Sequence, residues 1–93
     1  MHDFRYINRQ LHCEDVSIDS LVKQHGTPLY VYSSKTLTDH FTKLSNALAP
    51  LDHLICFAMK SNSNIGVLRT LADLGSGFDT VGGGEIQRAI AAG

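Results

Sequence analysis

The sequence predicts an α/β fold with parallel strands and helical crossovers, present as an incomplete piece. From Ser34 onward the apolar patterning alternates helix, strand, helix, strand, helix, the order that parallel strands joined by crossover helices require. The run Leu54–Met59 is continuously apolar and of strand length, as expected for a strand covered on both faces. Two strands with three helices are too few to close a barrel or complete a doubly wound sheet. The 93-residue chain is therefore expected to be the front piece of a longer protein.

Each element follows from local pattern. Phe4 and Tyr6, then Leu11 and Cys13, alternate with polar neighbours around "INRQ", which reads as a β-hairpin. Ile18, Leu21 and Val22 form an i, i+3, i+4 stripe between Ser17, a plausible N-cap, and Gly26, a plausible helix end. Thr27 and Pro28 break that helix, and "LYVYS" (Leu29–Ser33) is β-branched and aromatic, hence a strand. Ser34 is positioned to cap the next helix, whose face is Leu37, Phe41, Leu44 and Leu48, with Pro50 as its stop. After Leu54–Met59, Ser63 or Asn64 caps a helix with Ile65, Leu68, Leu71 and Ala72 on one side, ended by Gly75. "FDTV" (Phe78–Val81) is the next strand. The glycines 82–84 lead into a last helix bearing Ile86, Ala89 and Ile90.

Bulk properties exclude several function classes. Composition is ordinary for a globular protein, 43% hydrophobic and 18% charged. A net charge of −1 offers nothing to nucleic acid or an acidic membrane surface. No stretch has the apolar length of a membrane span, and "MHDFRYINRQ" is not a signal peptide, so a cytoplasmic location is expected. Cys13 and Cys56 form no C-x-x-C, and a reducing compartment disfavours a disulfide between them. The five histidines (His2, His12, His25, His40, His53) lack metal-ligand spacing, so no metal site is expected. There is no G-x-S-x-G, no Walker pattern and no complete G-x-G-x-x-G, since position 80 is Thr.

Lys60 is the leading candidate for chemistry. In a parallel α/β unit it falls at the carboxyl end of its strand, the side on which such folds build active sites. A partly buried lysine loses its proton more readily, and the neutral amine is the form that makes imines. From position alone, a strand-end lysine reaching water explains the residue better. Asp79 lies near the exposed end of the following strand and so neighbours Lys60 on one rim, or is simply a turn residue. Glu85 opens a helix, where its charge suits the positive end of the dipole, a sufficient structural role. The glycines 82–84 could cradle a phosphate on backbone N–H groups, but a tight strand-to-helix turn is the favoured explanation.

Two blocks change these odds. "FAMKSNSN" and "GSGFDTVGGGEI", with "MHDFRY", "HGTPLYVYS" and "EIQRAIAAG", resemble the fold-type III pyridoxal-phosphate decarboxylases over essentially the whole chain. The early "GTPLYVYS" favours the diaminopimelate-specific branch of that family. The resemblance implies an alanine-racemase-like (β/α)8 barrel joined to a β-rich domain. Residues 1–33 would belong to the β-rich domain and 34–93 to the start of the barrel. It implies pyridoxal 5'-phosphate as cofactor, Lys60 as the catalytic lysine that holds it covalently, and Asp79 and Glu85 as cofactor-binding acids. Asn62 would shape the loop beside the lysine. Gly82 departs from the family's Ser and Ser61 from its Ala.

The implied reaction is decarboxylation of meso-2,6-diaminopimelate to L-lysine and carbon dioxide, by an enzyme expected to be a homodimer. An ornithine, arginine or carboxynorspermidine decarboxylase is the alternative within the class. A truncated, non-catalytic product is the alternative outside it, because the later strands, phosphate site and substrate residues are missing. The isolated chain is expected to be inactive and marginally stable, with helix faces and strand edges that lack neighbours.

Overall fold

The computed structural model describes residues 2–93, and the chain separates into two compact units, Met1–Thr36 and Leu37–Gly93. In the first unit β1 (Phe4–Ile7), β2 (Gln10–Cys13) and β3 (Val16–Ser17) form an antiparallel sheet in the order β1-β2-β3. The expected hairpin is present, with Ile7 paired to Gln10 across a two-residue turn. Asn8 and Arg9 both take positive φ (50° and 66°), the twist-matching geometry of tight hairpins. The short β3, against Cys13 through Val16, was not legible as a strand because it is only two residues long.

Helix α1 (Ile18–His25) has the expected ends. The Ser17 hydroxyl accepts from the Ser20 N–H at 3.1 Å, and Gly26 closes the helix at φ 76°. "LYVYS" is not a strand. Residues 29–33 have no strand pairing among the described residues, Tyr30 is 84% exposed, and extended backbone without a hydrogen-bonded neighbour does not make a sheet.

Helix α2 (Ser34–Ala47) starts where expected, but its cap is Ser33 and not Ser34. The buried Ser33 hydroxyl accepts from the Thr36 N–H at 3.0 Å and donates to Glu14 Oε1 at 2.9 Å, while Glu14 Oε1 also accepts from the Lys35 N–H at 2.7 Å. Glu14 turns at φ 56° between β2 and β3, and its N–H donates to the Asp3 carbonyl at 2.6 Å. The carboxylate thus satisfies one orphan N–H at the start of the helix, that of Lys35, and holds the hydroxyl that satisfies a second, that of Thr36. Ser33→Ala is expected to cost about 0.5–2 kcal/mol, the usual loss of an N-cap, measurable as a lowered urea midpoint of the full-length protein.

The same corner holds Asp3. The Thr36 hydroxyl donates to Asp3 Oδ2 at 2.9 Å, and Lys35 Nζ lies 3.5 Å from Oδ1. The Thr36 hydrogen bond, with the nearby Lys35 charge, holds the Asp3 carboxyl below its ordinary value of 3.8 despite partial desolvation. A depressed carboxyl favours the folded state above the unfolded-chain value and loses that contribution as pH falls through the lower folded-state value. An NMR titration of Asp3 should therefore show a midpoint below 3.8. Thr36→Val should move that midpoint upward.

In the second unit, β4 (Cys56–Ala58) and β5 (Gly77–Asp79) pair in parallel, Cys56 with Gly77, Phe57 with Phe78 and Ala58 with Asp79. The parallel pairing and the crossover through α3 (Ile65–Asp73) are as expected. The first strand is shorter than its apolar run, and it is not covered on both faces. Leu54 is 71% exposed and Cys56 is exposed, because β4 sits in a two-stranded sheet. Likewise β5 ends at Asp79, and Val81 lies in the following loop.

Helix α3 is capped by Asn64, whose Oδ1 accepts from the Gly66 N–H at 2.9 Å and more weakly from the Val67 N–H at 3.4 Å. Its end is a Schellman motif: Ser76 N–H donates to the Leu71 carbonyl (3.1 Å) and Gly75 N–H to that of Ala72 (2.9 Å). Gly75 is required there by its φ of 92°. Helix α4 (Gly83–Ala92) follows β5. The core is Met59, Leu68 and Ala92, each at most 1% exposed, with Phe57, Phe78 and Ala89 against it. Ile86 (49%) and Ile90 (73%) on α4 stay exposed, as does Leu44 (50%) on α2.

Candidate active site

The backbone that carries Lys60 is a change of direction. Met59–Ser61 forms one 3-10 turn directly after β4, so Lys60 stands two residues past the strand end rather than on the strand. A strand would send successive side chains to opposite faces. Here the turn drives Met59 into the core at 1% exposure and leaves Lys60 exposed. The apolar run is thus an anchor whose last buried residue is immediately followed by the amine.

The polar tail after the lysine has a backbone role at almost every position. The Ser61 hydroxyl donates to the Ala58 carbonyl at 2.8 Å, and the Asn62 N–H donates to that of Met59 at 3.1 Å. Asn62 Oδ1 accepts from the Asn64 N–H at 3.0 Å, and Asn64 caps α3. Asn62 therefore shapes the loop, as expected. Arg88 of α4 reaches the same loop, with Nη1 donating to the Ser63 carbonyl at 3.3 Å. Arg88 was missed in the sequence, since a lone arginine on a helix carries no spacing signal.

Asp79 is the last residue of β5, exposed, in register with Ala58. Lys60 and Asp79 thus occupy the carboxyl end of neighbouring parallel strands, two residues apart in register. Glu85 stands in the first turn of α4, and its Oε1 accepts from the Val81 N–H at 3.0 Å. This bond resembles the carboxylate half of a capping box, displaced by one residue.

The glycines divide into two kinds. A Cβ at Gly77 would lie 2.8 Å from Cys56 Sγ across the β4–β5 pair, so a side chain there requires the exposed Cys56 thiol to turn aside. At Gly82, Gly83 and Gly84 a Cβ would meet nothing within 4 Å, and Gly82 has an extended φ of −159° open to any residue. A tight turn therefore does not explain this triplet. Gly82 is the N-cap of α4 and offers no side-chain acceptor. Gly82→Ser is expected to stabilise by a few tenths of a kcal/mol, roughly the Ser-to-Gly difference at N-caps, read from urea unfolding.

Cys13 and Cys56 are both free thiols, and burial pushes the Cys13 thiol above its ordinary range. Among the described residues no three His, Cys, Asp or Glu side chains gather as metal ligands, and no helix is long and apolar enough to cross a membrane.

A parallel βαβα unit with a lysine and an acid on its carboxyl rim is an arrangement that α/β folds use, and comparison with known proteins gives the class. Residues 34–93 match the family described as pyridoxal-dependent decarboxylase, pyridoxal binding domain, and the chain belongs to that family. Curated relatives that the chain is similar to include diaminopimelate decarboxylases. That of Haemophilus influenzae is 52% identical over the whole chain, and that of Vibrio cholerae is 54% identical over 90% of it. A crystal structure of an Aquifex aeolicus protein superposes with a TM-score of 0.91 at 41% identity over 98% of the chain and 22% of its own length. The M. jannaschii diaminopimelate decarboxylase in complex with L-lysine does so with a TM-score of 0.89 at 26% identity, over 99% of the chain and 23% of its own. The fold is thus the beginning of the alanine-racemase-like barrel architecture. The chain spans 22% and 20% of the length of the Haemophilus and Vibrio relatives.

Proposed function

We propose that the chain is the lysine-bearing part of a pyridoxal 5'-phosphate-dependent enzyme that converts meso-2,6-diaminopimelate to L-lysine and carbon dioxide. The observation that carries this reading is Lys60: an exposed amine at the carboxyl end of β4, beside Asp79 of β5, in a chain similar throughout to diaminopimelate decarboxylases. The donor set fits an aldehyde cofactor. A primary amine can bond covalently to the aldehyde, and a carboxylate on the adjacent strand can orient the polar side of the ring. When bound, the cofactor supplies the electron sink for the carbanion left by loss of carbon dioxide.

The chain's own residues then do three things. Lys60 would hold the cofactor, and its amine would keep a proton donor and acceptor at the rim. Met59, Leu68 and Ala92 fix the backbone from which that amine projects. Asp79 lines the site, and Glu85 holds the β5–α4 loop through Val81 at the cofactor side. In this reading residues 1–33 belong to a β-rich domain and 34–93 begin the barrel. The antiparallel sheet of the first stretch and the parallel pair of the second support that assignment. The full-length protein is a cytoplasmic homodimer acting on a small amino acid, with no nucleic-acid or membrane partner. The 93-residue chain alone is inactive.

The test is assay of the full-length protein with pyridoxal phosphate and diaminopimelate, alongside ornithine, arginine and carboxynorspermidine. Lysine formed from diaminopimelate, and little product from the others, supports the reading. Preference for another substrate moves the protein within the class. No turnover of any of them overturns it.

A further inference from the structure

We infer that Arg88 is a positioning residue for Lys60, and that α4 acts as a clip across the two rim loops. The inference rests on the reading of Lys60 as the cofactor anchor. The loop after Lys60 is shaped by its own bonds, from Ser61 to Ala58, Asn62 to Met59, and Asn64 to Asn62. Such bonds set the shape of a loop but not its place on the rim. Arg88 supplies a bond from outside, to the Ser63 carbonyl, three residues from Lys60.

Arg88 is also one turn from Glu85, so the two share a helix face. Glu85 holds Val81, two residues past Asp79, while Arg88 holds Ser63. Neighbouring side chains of one helix thus grip the loop after each rim residue. The helix itself is fixed, because Ala92 at its end packs with Met59, the residue before Lys60. A displacement of α4 is therefore felt at Lys60 from both sides. Arg88 is itself solvent-exposed, so its loss frees the loop and leaves the core in place.

The experiment compares full-length wild type, Arg88→Ala and Arg88→Lys by amide hydrogen exchange, with and without pyridoxal phosphate. It adds the pH midpoint of the visible band of Lys60-bound cofactor and the kcat–KM split. Arg88→Ala is expected to speed exchange across residues 61–66 by about 2- to 10-fold, the span of one modest hydrogen bond. Exchange at Leu68 stays unchanged, the absorbance midpoint shifts, and kcat falls more than KM changes. Arg88→Lys, which keeps a cationic donor, lies between. Unchanged exchange over residues 61–66 overturns the inference, as does a uniform rise that includes Leu68, which would make Arg88 a general stabiliser. If wild type carries no cofactor on Lys60, the reading of the lysine fails by itself, and the exchange measurements without cofactor still decide whether Arg88 holds the loop.

Discussion

Lys60→Ala in the full-length protein is expected to abolish covalent retention of pyridoxal phosphate and to lower turnover of diaminopimelate by about 10²–10⁴-fold, the contribution of a positioned proton-transfer group. Two losses combine. The amine that tethers the cofactor disappears, and so does the group placed to move a proton at the rim once substrate is bound. Lys60→Arg should be nearly as damaging despite keeping the charge. A guanidinium stays protonated at any working pH and cannot become the neutral nucleophile. None of the other lysines in the chain follows a parallel strand: Lys23 lies on α1, Lys35 and Lys43 lie on α2, and Lys35 is paired with Asp3. Borohydride reduction of cofactor-loaded wild type, followed by peptide mapping, should place the label on the peptide containing Lys60. A label on any other lysine overturns the assignment.

The strand ends decided what was readable in the sequence. The alternation of helix and strand was plain because each crossover helix shows its apolar face at helical spacing, and the parallel pairing follows from that order alone. The 3-10 turn was not plain. "FAMK" continues the apolar run into Met59, and nothing in periodicity distinguishes a strand's last residue from a buried turn residue. The lysine's location on the rim survived this error because both geometries put it at the carboxyl end of β4. What changed is how it gets there. The core pulls Met59 in, and the turn throws Lys60 out.

"LYVYS" failed for a complementary reason. β-Branched and aromatic content reports fitness for a sheet, and a sheet needs a neighbour; residues 29–33 have none among the described residues. The caps show a finer limit. Ser33 and Ser34 are equally good N-cap types, and the choice between them was made by Glu14, 19 residues upstream of Ser33. Glycines were legible where φ is positive, as at Gly26 and Gly75. What a side chain at Gly77 would meet, the Cys56 thiol on the neighbouring strand, is contained in no local pattern. For the site itself, spacing alone brought Lys60 and Asp79 to one rim, and it took the two-block resemblance to give the lysine a chemical role.

Leu68→Ala is expected to cost about 2–5 kcal/mol of stability, the range for deleting a buried leucine side chain. Leu68 is fully buried on α3, packed with Met59 and Ala92. A cavity there removes contacts from the residue that holds the Lys60 turn down, so the effect reaches the rim as well as the global stability. Leu68→Met, which conserves volume, should cost less than about 1.5 kcal/mol. Urea midpoints of the two full-length variants measure the difference. Cofactor affinity should follow the same order, weakened most in Leu68→Ala, because the Met59 side chain can settle into the cavity and carry the backbone at Lys60 with it. Equal midpoints for the two variants would mean that Leu68 does not bear on Met59. Weakened cofactor binding at an unchanged midpoint would mean that the coupling runs through the loop held by Arg88 rather than through the core. A lower midpoint with unchanged affinity would show that the turn keeps its form without the packing beneath it.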